Sequence, residues 1–210
     1  NGLKQNNMDT TCHSEYLKLA SVFIKPVKES FISSNKLERE WKELNYLSLP
    51  DFKNSIKEYK VFENNLMNHG IKIEHFPLND SLSIDSVYCR DASIATDFGM
   101  IICNMGKAGR AIEPKFHQQF YVDKKIDILG EIRAPGTIEG GDVAWLDKKT
   151  LAVGHTYRTN QEGIKQLKAF LEKLNRLVDE FHPNIYLLNG VFKGVQTIEI
   201  AILNELNKDK

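Results

Sequence analysis

Cysteine is scarce in this chain: Cys12, Cys89 and Cys103 are three of 210 residues, an odd number at wide spacing. That argues against a disulfide framework, and no C-x-x-C pair offers a zinc site. The reading is a reducing compartment, the cytoplasm. No apolar run reaches the roughly 18 residues that span a bilayer, and the start, Asn1 to Thr11, is polar, so no membrane partner is expected. Charge of one sign is not in excess either. The 28 basic and 28 acidic residues cancel, so no global field draws the chain to nucleic acid or to a membrane surface. Neither GxGxxG nor GxxxxGK[ST] occurs, GxSxG is absent, and the six histidines form no HExxH pair. Aromatic residues are not interleaved with basic patches, which removes the remaining nucleic-acid signal.

What is present is ordinary for a globular protein: 41% hydrophobic and 27% charged residues, in a length that fits one domain. Ala20 to Pro26 is a short apolar run closed by proline and reads as a strand. A charged helix follows at Lys36 to Leu44. Pro50-Asp51 opens a stronger helix with Phe52, Ile56, Tyr59, Phe62 and Leu66 on one face, and Gly70 is placed to end it in a left-handed cap. Ile71 to Phe76 alternates as a half-buried strand would. Ser93–Ala95 and Met100–Cys103 flank Asp97-Phe98-Gly99 and predict a hairpin. A helix over Pro114 to Tyr121, a strand over Ile126 to Ile132 and a second hairpin (Val143–Leu146 with Leu151–Val153) follow. Asn160 to Val178 then carries Ile164, Leu167, Leu171, Leu174 and Val178 on one helical face, with Thr159 and Asn160 as candidate caps. Hairpins and helices alternate without a linker, which predicts one α/β domain.

Two segments exceed what secondary structure requires. The first is Asp85-Ser86-Val87-Tyr88-Cys89-Arg90-Asp91. If extended, it puts Asp85 and Asp91 on one face, where two carboxylates are best tolerated with a cation between them. A planar guanidinium, which pairs bidentately with carboxylates, suits that role. The alternative is a turn with an Arg90–Asp91 surface ion pair. The second is Gly136-Thr137-Ile138-Glu139-Gly140-Gly141-Asp142, whose glycines allow unusual backbone angles and close approach to a ligand. Glu139 there could orient a histidine or hold a substrate nitrogen; the alternative is a glycine-rich turn capped by its acids. The acids lack the alternate spacing of a calcium loop, so no metal is expected. Arg110 and Arg158 could hold a substrate carboxylate or could be solvated. Cys89 lies beside Arg90, but a buried, inert thiol is the preferred reading.

Together, SIDSVYCRDASIATDFGMIICNMGKAGRAIEP and APGTIEGGDVAWLDKKTLAVGHTYRTNQEGI resemble the guanidino-group-modifying superfamily. Dimethylargininase-like hydrolases are nearest, with arginine deiminases and amidinotransferases further away. The similarity covers roughly residues 14–180 and includes EWKELNYLSLPDF. It implies the pentein fold, a propeller-like ring of five ββαβ units, here as a three- to four-unit portion between a polar extension (1–13) and a divergent tail (181–210). It also implies the reaction: a cysteine thiolate attacks a guanidinium carbon, an amine leaves, and water releases a ureido product such as citrulline. No metal or organic cofactor is implied; the partner is a small guanidino molecule such as arginine or a methylated arginine.

By that similarity Asp91 grips the guanidinium nitrogens, with Asp85 nearby, and Glu139 orients the acid–base group or the substrate. Asp142 supports the turn at the substrate site, while Arg110 and Arg158 match positions that hold the amino acid's carboxylate. Arg90 matches a position that varies between Arg and Glu, and Ala111 stands where many relatives carry a second arginine. Relatives place the catalytic histidine beyond the RTN motif and the nucleophilic cysteine near the far C-terminus. The stretch NIYLLNGVFKGVQTIEIAILNELNKDK contains neither, and His182 has the wrong neighbours. The nucleophile is therefore not found in this chain, which is expected to be inactive as written: a fragment, a frameshifted reading or a shortened arginine-analogue-binding relative. An amidinotransferase is the other alternative. Ile198, Ala201, Ile202 and Leu206 fit an amphipathic C-terminal helix, and open strand edges predict self-association into a homo-oligomer.

Overall fold

The structure, a computed structural model, describes residues 15–147, 150–177 and 184–189. One supersecondary unit recurs along it: a hairpin, a helix, and a strand laid parallel to the hairpin's second strand. β3 (Ser93–Thr96) and β4 (Gly99–Ile102) form the first hairpin, α4 (Glu113–Asp123) crosses over, and β5 (Ile128–Glu131) pairs with β4. β6 (Val143–Trp145), β7 (Thr150–His155), α5 (Gln161–Leu177) and β8 (Asn184–Asn189) repeat the plan. The N-terminal unit has only β1 (Ser21–Ile24) and its parallel partner β2 (Lys72–His75). These are joined through α1 (Val27–Phe31), α2 (Ser34–Glu40) and α3 (Phe52–Asn68). It lacks the leading antiparallel strand of the other two, so among the described residues β1 has one open edge.

Local chemistry explains the boundaries. The Asp51 side chain accepts from the Asn54 N–H at 2.7 Å and caps α3. Gly70, at φ +75°, closes the helix, with the Ile71 N–H donating to Leu66 O. Gly99, at φ +127°, turns the first hairpin where a Cβ would strike the Asp127 carbonyl. Asn160 caps α5 by accepting from the Gly163 N–H at 2.8 Å.

The largest core lies between the two hairpins and α5, with Ile101, Ile138, Leu151, Val153, Leu167 and Leu171 fully buried in it. Each such side chain contributes roughly 1.5–3 kcal/mol. A second cluster of Phe76, Phe120 and Tyr121 joins α4 to β2, and Phe23 of β1 meets Phe120 edge-on at 5.3 Å. No helix among the described residues is long and apolar enough to cross a membrane.

The segment from Asp85 to Asp91 takes the turn, one of its two readings, and not the extended form. It folds into two 3-10 turns, Ile84–Val87 and Cys89–Ala92, closed by Tyr88 N–H to Asp85 O and Asp91 N–H to Tyr88 O. α3 buries none of its residues fully, and Phe62 on its predicted face is exposed. The helix lies outside, touching a small cluster around Leu37 and Ile84 only through Phe52, Ile56 and Tyr59. Finally, α1 and β8 have no counterpart in the sequence reading. The side chain of Leu174, together with Val178, His182, Cys12 and the C-terminal helix read over Ile198 to Leu206, lies outside the described residues.

Candidate active site

The two 3-10 turns before β3 present Asp85 and Asp91 to one cavity of about 830 Å³, which Tyr88, Lys107, Arg110 and Arg158 also line. Its rim is the segment 44–51 between α2 and α3. Two carboxylates and three cations drawn from residues 85 to 158 therefore share one space.

Each carboxylate is held by an internal cation. Lys107 Nζ lies 2.5 Å from Asp85 Oδ2 and also donates to Leu44 O at 2.7 Å, tying the cavity floor to its rim. Arg110 is buried, with Nε and Nη2 donating to the two oxygens of Glu113 at 2.9 and 2.7 Å. Its Nη1 donates to Asp91 Oδ2 at 2.5 Å and its Nη2 to Tyr88 O at 3.0 Å. Burial opposes the guanidinium charge, but the bonds and charges of Glu113 and Asp91 outweigh it and push the Arg110 pKa further up. This ion set is rigid: the planar fork fixes Asp91 against Glu113 at the start of α4.

Glu139 sits behind the cavity wall. Its Oε1 accepts the Lys107 backbone N–H at 3.2 Å, and Arg158 Nη1 lies 2.9 Å from Oε2. That second contact is one of charge without directed geometry, since Oε2 carries no hydrogen bond. Burial raises the Glu139 pKa; Arg158 opposes this and Asp91 adds to it. Asp142 does not line the cavity. Its Oδ2 accepts from the hydroxyls of Thr156 and Thr159 at 2.8 and 2.6 Å, which fixes the turn that carries Arg158. Arg90 points to another face, where Nη2 donates to Val143 O at 2.6 Å and Nη1 pairs with Glu15. Of the seven residues singled out in the sequence, Asp85, Asp91, Arg110 and Arg158 thus line the cavity, with Glu139 directly behind.

Gly140 and Gly141 have a different reason from the one read in the sequence. Neither adopts a positive φ. A Cβ on Gly140 would fall on the carbonyl oxygens of Arg90 and Ser93, and one on Gly141 on the Asp91 carboxylate. The Asp91 segment itself approaches closely here. Gly140→Ala is expected to destabilise the fold by about 3 kcal/mol, as overpacking against backbone does. Gly109→Ala, which meets only the end of Leu44, should change the urea midpoint little. Equal midpoints for both variants would remove this account.

Neither described cysteine is a ready nucleophile. Burial pushes the Cys89 thiol up to about 11, and its Sγ lies 3.7 Å from Phe23 O; Cys103 is fully buried and pushed higher still. Among the described residues no three His, Cys, Asp or Glu side chains gather as a metal site would need. Lys107 and Glu113 were missed by sequence reading. An acid at the first position of a proline-initiated helix, three residues after Arg110, was the available signal for Glu113.

A family model described as arginine deiminase matches residues 9–185. The N(G),N(G)-dimethylarginine dimethylaminohydrolase of Pseudomonas aeruginosa is 30% identical over 132 residues, 61% of this chain and 50% of that protein. An uncharacterized protein of Aeropyrum pernix is 28% identical over 121 residues, 56% of this chain and 44% of its own length. The chain therefore spans about half the length of the curated relatives it matches. A structure of the Pseudomonas aeruginosa enzyme complexed with citrulline superimposes with a TM-score of 0.65 at 22% identity, over 84% of this chain and 64% of that one. An amidinotransferase from Microseira wollei gives 0.63 at 14% identity, over 85% and 62%. The fold is an incomplete portion of the pentein fold that these structures share. On the length and position of the family match, the chain belongs to the arginine deiminase family, within the guanidino-group-modifying superfamily.

Proposed function

We propose that these residues form the guanidino-binding part of a hydrolase that cleaves C–N bonds of arginine or dimethylarginine to give citrulline, and that the chain as written binds such molecules without turning them over. The observation that carries this reading is the convergence of Asp85, Asp91, Arg110 and Arg158 on one cavity. Asp85 and Asp91 are held in place before any ligand arrives, so little ordering is left for binding to supply. A guanidinium would sit against them as a delocalised cation, while Arg158, in the same lining and anchored by Glu139, would meet the ligand's carboxylate. Asp142 and Arg90 then act at a distance, fixing the Arg158 turn and the Asp91 segment.

Hydrolysis by this route needs a thiolate and a general acid–base at the guanidinium carbon. Among the described residues the raised thiols of Cys89 and Cys103 do not supply the first, which favours a ligand-binding role for this portion. The scarce, widely spaced cysteines suit a cytoplasmic setting, and the open edge of β1 suits self-association.

Calorimetry with arginine, dimethylarginine and citrulline tests the reading. Asp91→Asn should weaken the two guanidinium ligands at least about tenfold and citrulline, whose ureido group is uncharged, less, because only the former lose a charge-assisted bond at that end. Equal affinities in wild type and variant would rule the assignment out. Citrulline formed by the purified chain and lost in Cys89→Ser would overturn the inactivity.

A further inference from the structure

Behind the turn that carries Asp85 lies a second hollow of about 130 Å³. Asp85 lines the first cavity and the next residue, Ser86, lines the second, so the Ile84–Val87 turn is a wall of both. Three polar side chains reach this hollow from separate elements: Lys25 after β1, Ser86 on the turn and His117 on α4. All three are at least 97% buried. Ser86 Oγ and His117 Nδ1 have no hydrogen-bond partner, and Lys25 Nζ gives one of its three protons to Pro77 O. An unpaired buried polar atom costs about 1–3 kcal/mol, so this end of the hollow is chemically incomplete. His117 is held neutral by burial and by the nearby charges of Arg110 and Lys25, which leaves an imidazole able to donate from Nδ1.

Asp123, which lines the hollow, accepts at Oδ1 from the neutral amide of Gln119 at 2.8 Å; Glu113 is bridged by Arg110, and Glu29 is near enough to Lys25 to favour its charge. The rest of the lining is largely apolar, with Phe76, Leu82 and Phe120, and also carries Asn79, Gln119 and Asp123. Three donors from separate elements beside apolar side chains describe a small ligand with an acceptor head and a short alkyl tail, and the volume exceeds what one water fills.

We propose that this hollow binds a small aliphatic carboxylate of roughly butyrate size, seated back to back with the guanidino cavity. Its oxygens accept from Lys25 Nζ, Ser86 Oγ and His117 Nδ1, and its chain lies on Phe76, Leu82 and Phe120.

The test is a titration of sodium butyrate into the 210-residue chain at constant ionic strength, read by melting temperature and by the His117 imidazole nitrogen resonances. A saturable rise in melting temperature, with a shift at Nδ1, is expected. Ser86→Ala removes only an unpaired hydroxyl and should fold normally, yet weaken butyrate about tenfold; Lys25→Met should abolish the response. No saturable response, an identical response in Ser86→Ala, or the same effect from chloride or inorganic phosphate would each overturn the proposal and leave a water-filled hollow. The measurement does not depend on guanidino binding, so the two readings fail separately.

Discussion

Arg110→Met is expected to cost about 3–5 kcal/mol of folding stability at neutral pH, the range for a buried ion pair that loses one partner. Arg110 is 2% exposed and Glu113 fully buried, so removing the guanidinium strands Glu113 away from water and leaves Asp91, at the cavity, without its cation. The stranded acids would take up protons more readily than in the unfolded chain. The deficit should therefore be largest near pH 7 and shrink as pH falls. The double variant Arg110→Met/Glu113→Leu should lose less than Arg110→Met, because no full charge is left in the deepest position. Arg110→Lys should fall between, since an ammonium cannot span Glu113, Asp91 and Tyr88 O together. Urea midpoints for the four proteins decide it. A double variant less stable than Arg110→Met would show that packing, not charge, sets the cost.

His117 should give the chain a steep acid limb. Its pKa is lowered from 6.5 to about 3, by burial first and then by the charges of Arg110 and Lys25. The sign follows from proton uptake. Below pH 6.5 the unfolded chain binds a proton that the folded chain refuses, so stability falls with decreasing pH until about pH 3. The slope is about 1.4 kcal/mol per pH unit, and the full span amounts to about 5 kcal/mol. His117→Phe keeps a ring stacked on Phe76, whose centroid lies 4.0 Å away, and removes the titration. Its stability at pH 7.5 should drop by about 1–3 kcal/mol through overpacking, but the decline between pH 6.5 and 4.5 should be shallower than in wild type. Parallel pH profiles for the two proteins would mean that His117 does not control the acid limb.

Much of the fold was legible from periodicity. Both hairpins lie where short apolar runs flank turn residues, α3 and α5 where three-to-four spacing puts them, and α4 over the helix read from Pro114 to Tyr121; Gly70 and Asn160 end and start helices as their chemistry requires. α1 was not legible, because five residues after Pro26 are too few to show a period. The segment at 84–92 was legible only as a choice between an extended form and a turn, because seven residues without a clear apolar period fit either, and the structure takes the turn. In the site, Asp85 and Asp91 share a cavity without the extended form, since two consecutive 3-10 turns bring both to it. Lys107 was invisible: a single lysine in a loop carries no signal until Asp85, 22 residues earlier, is folded against it.

The sequence by itself determined which segments are helices and hairpins, the family to which they belong, and the handful of acids and arginines at which to look. These are properties of near neighbours along the chain, where hydrophobic period and cap chemistry act over a few residues. Tertiary structure alone decided which charges meet. It turned Arg90 toward Glu15 and Val143, bound Arg110 to Glu113, made Gly140 a point of contact with the Asp91 segment, and set Ser86 with Lys25 and His117 around a second hollow. Those outcomes depend on desolvation and on distances between elements many residues apart, and burial is what makes an ion pair or an unpaired hydroxyl costly enough to matter.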